Sequence, residues 1–471
     1  MAAYDRLSAL DSSFLHLERL ETPMHVGALS VFEGEPFLDA TGRFRLATAR
    51  DLVASRLHLI PRFRKRLMVV PLEQGRPIWV DDPSFDIAYH VRLTALPAPG
   101  TREQLLTLCN RVQAQLLDRN RPLWELWFVE GLEGGHVGLI QKTHHALVDG
   151  VSGVDVATVL LDFTPEPIVP DAPEWRPEPP PSSAQLLVDS LIERLVEPAE
   201  LLRTVRSAMR GPRQAVDRAT TLTRQLATLV NRDVVATSTS LNGPVRRHRR
   251  LETVRVPLDD VKEIRHTLGG TVNDVVLAGV AGGLREFFAS RGELTNPLTI
   301  KAFCPVSVRA DDEHLQLGNK VSGMFVPLRL GEPDPLARLE AIRAATADLK
   351  ERQQAVGAAF LVGLTEYAAP TLLGLAARVT HRQPFFNLVV TNIPGPQVPL
   401  YCMGARMAEA YPIVPLAHSL RLGIAILSYC GQLHLGLFAD RESVPDLEVL
   451  ATGLENAFAE LYKIGHERAG R

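Results

Sequence analysis

Apolar positions along the chain follow two different periods. Trp124 to Leu132 is an aromatic and apolar run that stops at Glu133-Gly134-Gly135 and resumes from His136 to Lys142, the pattern of a β-hairpin. Leu422 to Ala439 is an 18-residue stretch without a charge, long enough to resemble a membrane span. It holds Ser428, Tyr429, Gln432 and His434, with Gly431-Gln432 at its middle, so a second hairpin is the expected form. Elsewhere the spacing is helical. Thr271 and Asp274 form a capping-box pair ahead of Val276, Leu277, Val280, Leu284, Phe287 and Phe288. Ser152 and Asp155 do the same ahead of Val156, Val159 and Leu160, and Leu187, Leu191 and Leu195 recur with Val188 and Ile192 beside them.

These elements divide into blocks. Residues 165–181 (PEPIVPDAPEWRPEPPP) hold eight prolines in seventeen positions. Proline fixes φ and has no backbone donor, so the stretch is an extended connector rather than helix or central strand. The expected organisation is an α/β unit over 1–164, the connector over 165–183, a helical segment over 184–235 and a second α/β unit over 236–471. No repeat of fixed period is present, nor a GxGxxG opening a helix, nor a GxxxxGK[ST] loop. The pairs Gly134-Gly135, Gly269-Gly270 and Gly282-Gly283 read as turns or close helix packing.

Composition narrows the class. The chain has 471 residues, 46% hydrophobic and 22% charged, which fits a folded chain of two or three domains. A formal charge of −3 does not suggest a nucleic-acid binder. Cys109, Cys304, Cys402 and Cys430 form no CxxC pair, which argues against a zinc ribbon, an iron–sulfur site or a disulfide scaffold. Asp5, Arg6, Asp11, His16, Glu18 and Arg19 break any signal-peptide pattern. The apolar stretch from Gln353 to Thr365 is too short to span a bilayer. Charge is uneven: residues 196–232 carry seven arginines against three acids, which suits either a solvated helix face or a helix lying on an anionic surface. A second basic run, Arg246-Arg247-His248-Arg249-Arg250, could meet phosphates or lipid, or form an exposed loop.

The candidate chemistry lies between the first hairpin and the helix that follows it. His144, His145, Asp149 and Gly150 fall on a loop between a strand end and a helix start. Three readings of this group stand side by side. A neutral imidazole can act as a general base, oriented by Asp149 or by its surroundings. His145 and Asp149 could ligate a metal, although no third ligand is suggested nearby. The group could also be a structural loop, with Gly150 allowing a tight turn.

HHALVDG matches HHxxxDG, the signature of acyl-CoA-dependent acyltransferases such as chloramphenicol acetyltransferase and nonribosomal peptide condensation domains. Further blocks resemble the bacterial wax ester synthase/diacylglycerol acyltransferase family. They are LSALDSSFLHLERLETPMHVGAL, PRFRKRL from Pro61, PLWELWFVEGL, LNGPV from Leu241, TVNDVVLAGVAGGLR from Thr271, PVSVR from Pro305, GNKVSGMFVPL from Gly318 and NLVVTNIPGP from Asn387. The resemblance covers nearly the whole chain. It implies an α/β fold of two chloramphenicol-acetyltransferase-like subdomains, with mixed sheets flanking a central tunnel. It implies transfer of a fatty acyl group from acyl-CoA, a substrate rather than a cofactor, to diacylglycerol or a long-chain alcohol, without a metal. His145 is then the general base, His144 a secondary residue and Asp149 a structural partner.

In the second half, Asp274 favours its helix N-terminus, and Asn273 is a candidate to hold substrate or the developing oxyanion. Gly150, Asn273 and Asp274 are taken together as substrate-binding candidates. Ser307 and Arg309 are weaker candidates, and Asn392 reads as a turn residue before Pro394-Gly395. The expected location is cytoplasmic, peripheral to the inner membrane face or to lipid droplets. The arginine-rich block and the stretch near Phe360 are the expected contacts. The competing functions are a carrier-protein-dependent condensation enzyme and a non-catalytic lipid-binding protein.

Overall fold

The computed structural model describes residues 5–73, 75–147, 161–171, 173–190, 192, 235–307, 321–365 and 385–469. Asp149, Gly150, Ser152, Asp155, Arg309 and the arginine-rich block over 196–232 lie outside the described residues.

Two mixed six-stranded sheets dominate the fold, as the two-subdomain α/β expectation required. The first contains β2 (His25–Glu33), β5 (Val91–Ala95), β6 (Trp124–Glu130), β7 (His136–His144), β12 (Tyr401–Cys402) and β13 (Ala405–Ile413), in the order β12-β13-β2-β7-β6-β5. Only β5 and β6 run parallel in it. The second contains β8 (Arg249–Pro257), β9 (Thr299–Ser307), β10 (Val321–Arg329), β11 (Leu388–Pro394), β14 (Leu422–Tyr429) and β15 (Gln432–Asp440). Its order is β10-β9-β11-β14-β15-β8, with β11 parallel to both neighbours. A small sheet of β1 (Asp5–Arg6), β3 (Lys65–Met68) and β4 (Ile78–Asp81) lies beside the first.

Both expected hairpins form. β6 and β7 pair antiparallel, and β14 and β15 pair from Leu422–Ala439 to Tyr429–Gln432. The second turn is Cys430-Gly431, both with positive φ (44° and 76°), the two-residue loop whose twist matches a hairpin. The apolar run of 422–439 is therefore spent on paired strands. Among the described residues no helix is long and apolar enough to cross a membrane.

The capping box at Thr271 and Asp274 is present, and the helix Val272–Ser290 follows it. This helix packs against the helix Leu447–Ala469 at very short range. A Cβ on Gly279, Gly282 or Gly283 would come within 2.5–2.8 Å of Phe458, Ala457 or Leu454. The glycine pair is thus a packing device.

The two halves interlock. β13, from the second half, pairs antiparallel with β2 and completes the first sheet. Tyr429 of the second sheet reaches across, its hydroxyl donating to Met407 O (3.0 Å) and accepting from Leu400 N (2.9 Å). The helix Arg102–Ala114 buries Leu105, Leu106, Cys109 and Val112 against Val31 and Ile140 of the first sheet and Leu251 and Phe438 of the second.

The connector over 165–181 shows no regular element among its described residues and is pinned at points. Arg56 donates to Ile168 O, and Asp81 accepts Glu178 N. In the helical turns after it, Leu191 and Leu195 of the expected stripe lie outside the described residues. Leu186 is the buried residue, packed with Val70, Ile78 and Val80, while Leu187 is half-buried and Val188 and Ile192 are exposed.

Candidate active site

His144 is the last residue of β7 and sits opposite His25 of β2. The chain then rolls over: His144 N donates to Leu123 O (2.9 Å), and Leu147 N donates to His144 O (2.9 Å). Ala146 N donates to His144 Nδ1 (3.0 Å). A backbone N–H can only donate, so Nδ1 is the unprotonated nitrogen and neutral His144 carries its proton on Nε2. That nitrogen faces Glu18 Oε1 at 3.3 Å.

Glu18 gathers the whole corner. It directly follows the helix Ala9–Leu17, and its side chain is 2% exposed. Its Oε1 lies 3.3 Å from His25 Nε2 and accepts Met24 N (3.2 Å). Its Oε2 accepts Arg119 Nη2 (2.9 Å) and Nε (3.2 Å). Burial opposes ionisation of Glu18, but the two imidazoles outweigh it and hold the carboxyl below the usual range. Burial pushes His25 down to about 4 against the pull of Glu18. At neutral pH the corner holds an anionic Glu18 and a neutral His25.

His145 is treated differently from its neighbour. Its backbone N–H donates to Met24 O (2.8 Å), and its ring stacks on Phe14 with centroids 4.0 Å apart and planes at 22°. It is half-buried, whereas His144 is fully buried. The helix and the residue that ends it therefore serve both histidines, Phe14 against His145 and Glu18 against His144. The buried polar zone continues along β7. Lys142 is buried opposite Glu125, and burial pulls its ammonium down to about 8 against the pull of Glu125 and Glu18. Glu125 in turn accepts Trp127 Nε1 (2.9 Å) and pairs with Arg92 (3.4 Å).

The second-half candidates lie on other elements. Asp274 is buried, with both oxygens engaged: Oδ2 accepts Thr271 N and Oγ1 (both 2.8 Å), and Oδ1 accepts Thr346 Oγ1 (2.7 Å). Asn273, one residue earlier, is half-buried. Neither shares a hydrogen bond with the His144–His145 turn among the described residues. Asn392 is a strand residue of β11, paired with Ile426, rather than part of a turn. Asn387 is the amide that ties the region together. Its Oδ1 accepts Lys301 N (2.8 Å), and its Nδ2 donates to Thr237 O (2.6 Å) and Asn242 Oδ1 (2.7 Å).

Sequence reasoning missed Glu18, His25, Phe14 and Arg119 as parts of this site. Glu18 entered only as a charge that breaks a signal-peptide pattern, although its block carries family resemblance.

Comparison with known proteins follows the same map. The profile of the wax ester synthase/diacylglycerol acyltransferase catalytic domain matches residues 7–276, and that of the family's C-terminal domain matches 317–462. A Mycobacterium tuberculosis protein named "Probable diacyglycerol O-acyltransferase tgs1" is 33% identical over 473 residues, covering 98% of this chain and 97% of that protein. The solved wax ester synthase/diacylglycerol acyltransferase of Marinobacter aquaeolei superposes with a TM-score of 0.67 at 28% identity, covering 98% of this chain and 100% of that one. The starter condensation domain of rhizomide synthetase shares the fold at 14% identity, with a TM-score of 0.58 over 99% of this chain and 96% of that one. The chain belongs to the wax ester synthase/diacylglycerol acyltransferase family and is an acyltransferase.

Proposed function

We propose that the protein transfers a fatty acyl group from acyl-CoA to the free hydroxyl of diacylglycerol, with long-chain alcohols as a second acceptor class, and that His145 is the general base. The observation that carries this reading is the division of labour in the histidine pair. His144 is fully buried, its Nδ1 occupied by Ala146 N–H and its Nε2 directed at Glu18, while His145 stands half-buried on the turn against Phe14.

In this mechanism His145 takes the proton of the acceptor hydroxyl as its oxygen attacks the thioester carbonyl. The C–O bond forms, the C–S bond breaks, and His145 returns the proton to the CoA thiolate. No acyl-enzyme is needed. Asp149 serves as a structural partner rather than a catalytic relay, and Asn273 supplies an amide to the substrate or the oxyanion. A tunnel between the halves keeps water from competing as acceptor. The acceptor is insoluble, so the protein collects it at a membrane or droplet surface as a peripheral enzyme.

The test is thiol release from palmitoyl-CoA with diacylglycerol and with hexadecanol as rival acceptors. General-base catalysis contributes about 10²- to 10⁴-fold, so His145→Ala should lower turnover by about that factor with its circular dichroism unchanged. Near-wild-type turnover in the folded variant removes His145 from the mechanism.

A further inference from the structure

A cleft of about 590 Å³ runs along the seam between the two halves. The helix Arg102–Ala114 forms one wall, and the residues around the start of β8 form the other, with Arg441 beside them. Five arginines line it (Arg102, Arg111, Arg249, Arg250 and Arg441) against Glu103 and Glu252, a formal excess of three positive charges without counting His248. Such a volume is ordinary for a small-molecule site, but this lining selects an anion.

The cations are not equivalent. Arg102 is neutralised by Glu409 (2.8 Å), and Arg250 by Glu448 (2.7 Å). Arg111, Arg249 and Arg441 form no ion pair with a carboxylate among the described residues. Arg249 is the telling case. It is only 4% exposed, yet its guanidinium donates to the neutral carbonyls of Arg246, His248 and Glu21. Burial pulls it down to about 10, with Asp440 and Glu21 pulling it up, so it stays charged at neutral pH. Asp440 and Glu21 offset its burial only from beyond ion-pair distance, and an anion in the cleft would offset the rest of that penalty. The planar guanidinium fork matches phosphate oxygens two at a time.

The position of the cleft supplies the identity of the anion. Arg249 grips the carbonyl of Glu21, and three residues later Met24 O holds the backbone N–H of His145. Three extended residues reach at most about 11 Å. The buried end of the cleft and the His145 turn are therefore anchored to one short stretch of chain. A ligand with a phosphorylated head and a long flexible arm ending in a thioester could occupy both.

We propose that this cleft holds the phosphates of the nucleotide end of acyl-CoA, leaving the arm to carry the thioester to the His145 turn. The proposal rests on the reading of acyl-CoA as the donor. It also gives a role to the basic run over 246–250.

Arg111 and Arg441 are exposed and can be reversed without touching the backbone bonds of Arg249. In the Arg111→Glu/Arg441→Glu double variant, the KM for palmitoyl-CoA should rise about tenfold, equivalent to about 1.4 kcal/mol. The KM for the palmitoyl thioester of N-acetylcysteamine, which has no phosphate, should change less than about twofold. Titration calorimetry with free CoA should show weakening of about tenfold, while pantetheine binding stays as it was. An equal rise in KM for both thioesters overturns the proposal, and so does unaltered CoA binding. If CoA binding persists but the variant no longer binds phosphatidylglycerol vesicles, the cleft holds a lipid headgroup and the proposal is wrong. CoA binding is read without turnover. A wild-type chain that binds CoA through these arginines but transfers no acyl group refutes the proposed function and leaves the cleft assigned.

Discussion

In the first sheet, three consecutive residues of one strand, Lys142, Thr143 and His144, are buried polar groups, joined by His25 on β2 and Glu125 on β6. In the second sheet the core is a single apolar cluster, and most of its buried polar groups stand at element ends. Arg249 opens β8, Asp440 closes β15, Asp274 begins a helix and Asn387 precedes β11, while His434 lies inside a strand and Arg338 and Thr346 inside the helix Pro335–Thr365. Buried polar groups destabilise unless each finds its partners. The first half therefore carries the organisation of the site, and the second half carries an apolar core onto which the first is locked by β13 and the helix Arg102–Ala114.

This contrast can be broken at four points. Leu284→Ala removes a fully buried side chain from the apolar cluster and should cost about 3–5 kcal/mol in a denaturant titration, with kcat per folded molecule unchanged. A large fall in kcat would show that the second core also tunes the site. Glu18→Gln, in the polar corner, should do both kinds of damage. Stability falls by about 2 kcal/mol as charge-assisted hydrogen bonds weaken, and kcat falls about tenfold to a hundredfold as the histidine turn loses its register. Full activity in that variant would make Glu18 purely structural.

Acid should separate the halves next. His25 and His90 in the first half and His434 in the second are each pushed down by burial to about 4 from 6.5. Between those values the unfolded chain binds protons that the folded chain does not, so stability falls as pH drops from 6.5 towards 4. Glu18, held low, adds its own loss only further down, as pH falls through its folded value. Tm measured from pH 7 to pH 4 should decline across that window, and hydrogen exchange should loosen β2 and β7 before β9 and β11. The reverse order would contradict the contrast. The smallest effect is at the capping box, where Thr271→Ala should cost about 1 kcal/mol and leave KM for the acceptor unmoved. A raised KM there would show that Asn273 needs the intact cap to reach the substrate.

What was legible in the sequence was local. The two hairpins announced themselves through Gly134-Gly135 and Gly431, the helix start through Thr271 and Asp274, and the histidine turn through its motif. Each depends on residues within a few positions of one another. Glu18 was not legible because its meaning is non-local: its partners His25, Arg119 and His144 are spread over more than a hundred residues. β13 was invisible as part of the first sheet for the same reason, since Ile413 pairs with Gly27. Beside Leu187, helical spacing shows that a face is apolar but not which residue meets the neighbouring sheet. Leu186 does so here.

The crossing of β13 into the first sheet has a consequence for biosynthesis. A ribosome completes β2 and β7 long before it reaches residue 405, so the nascent first sheet waits with the outer row of β2 amides and carbonyls uncovered. An open sheet edge invites pairing with other chains. The protein's yield in the cell thus depends on how that edge is guarded during elongation, and fragments ending near residue 400 should precipitate where the 471-residue chain does not.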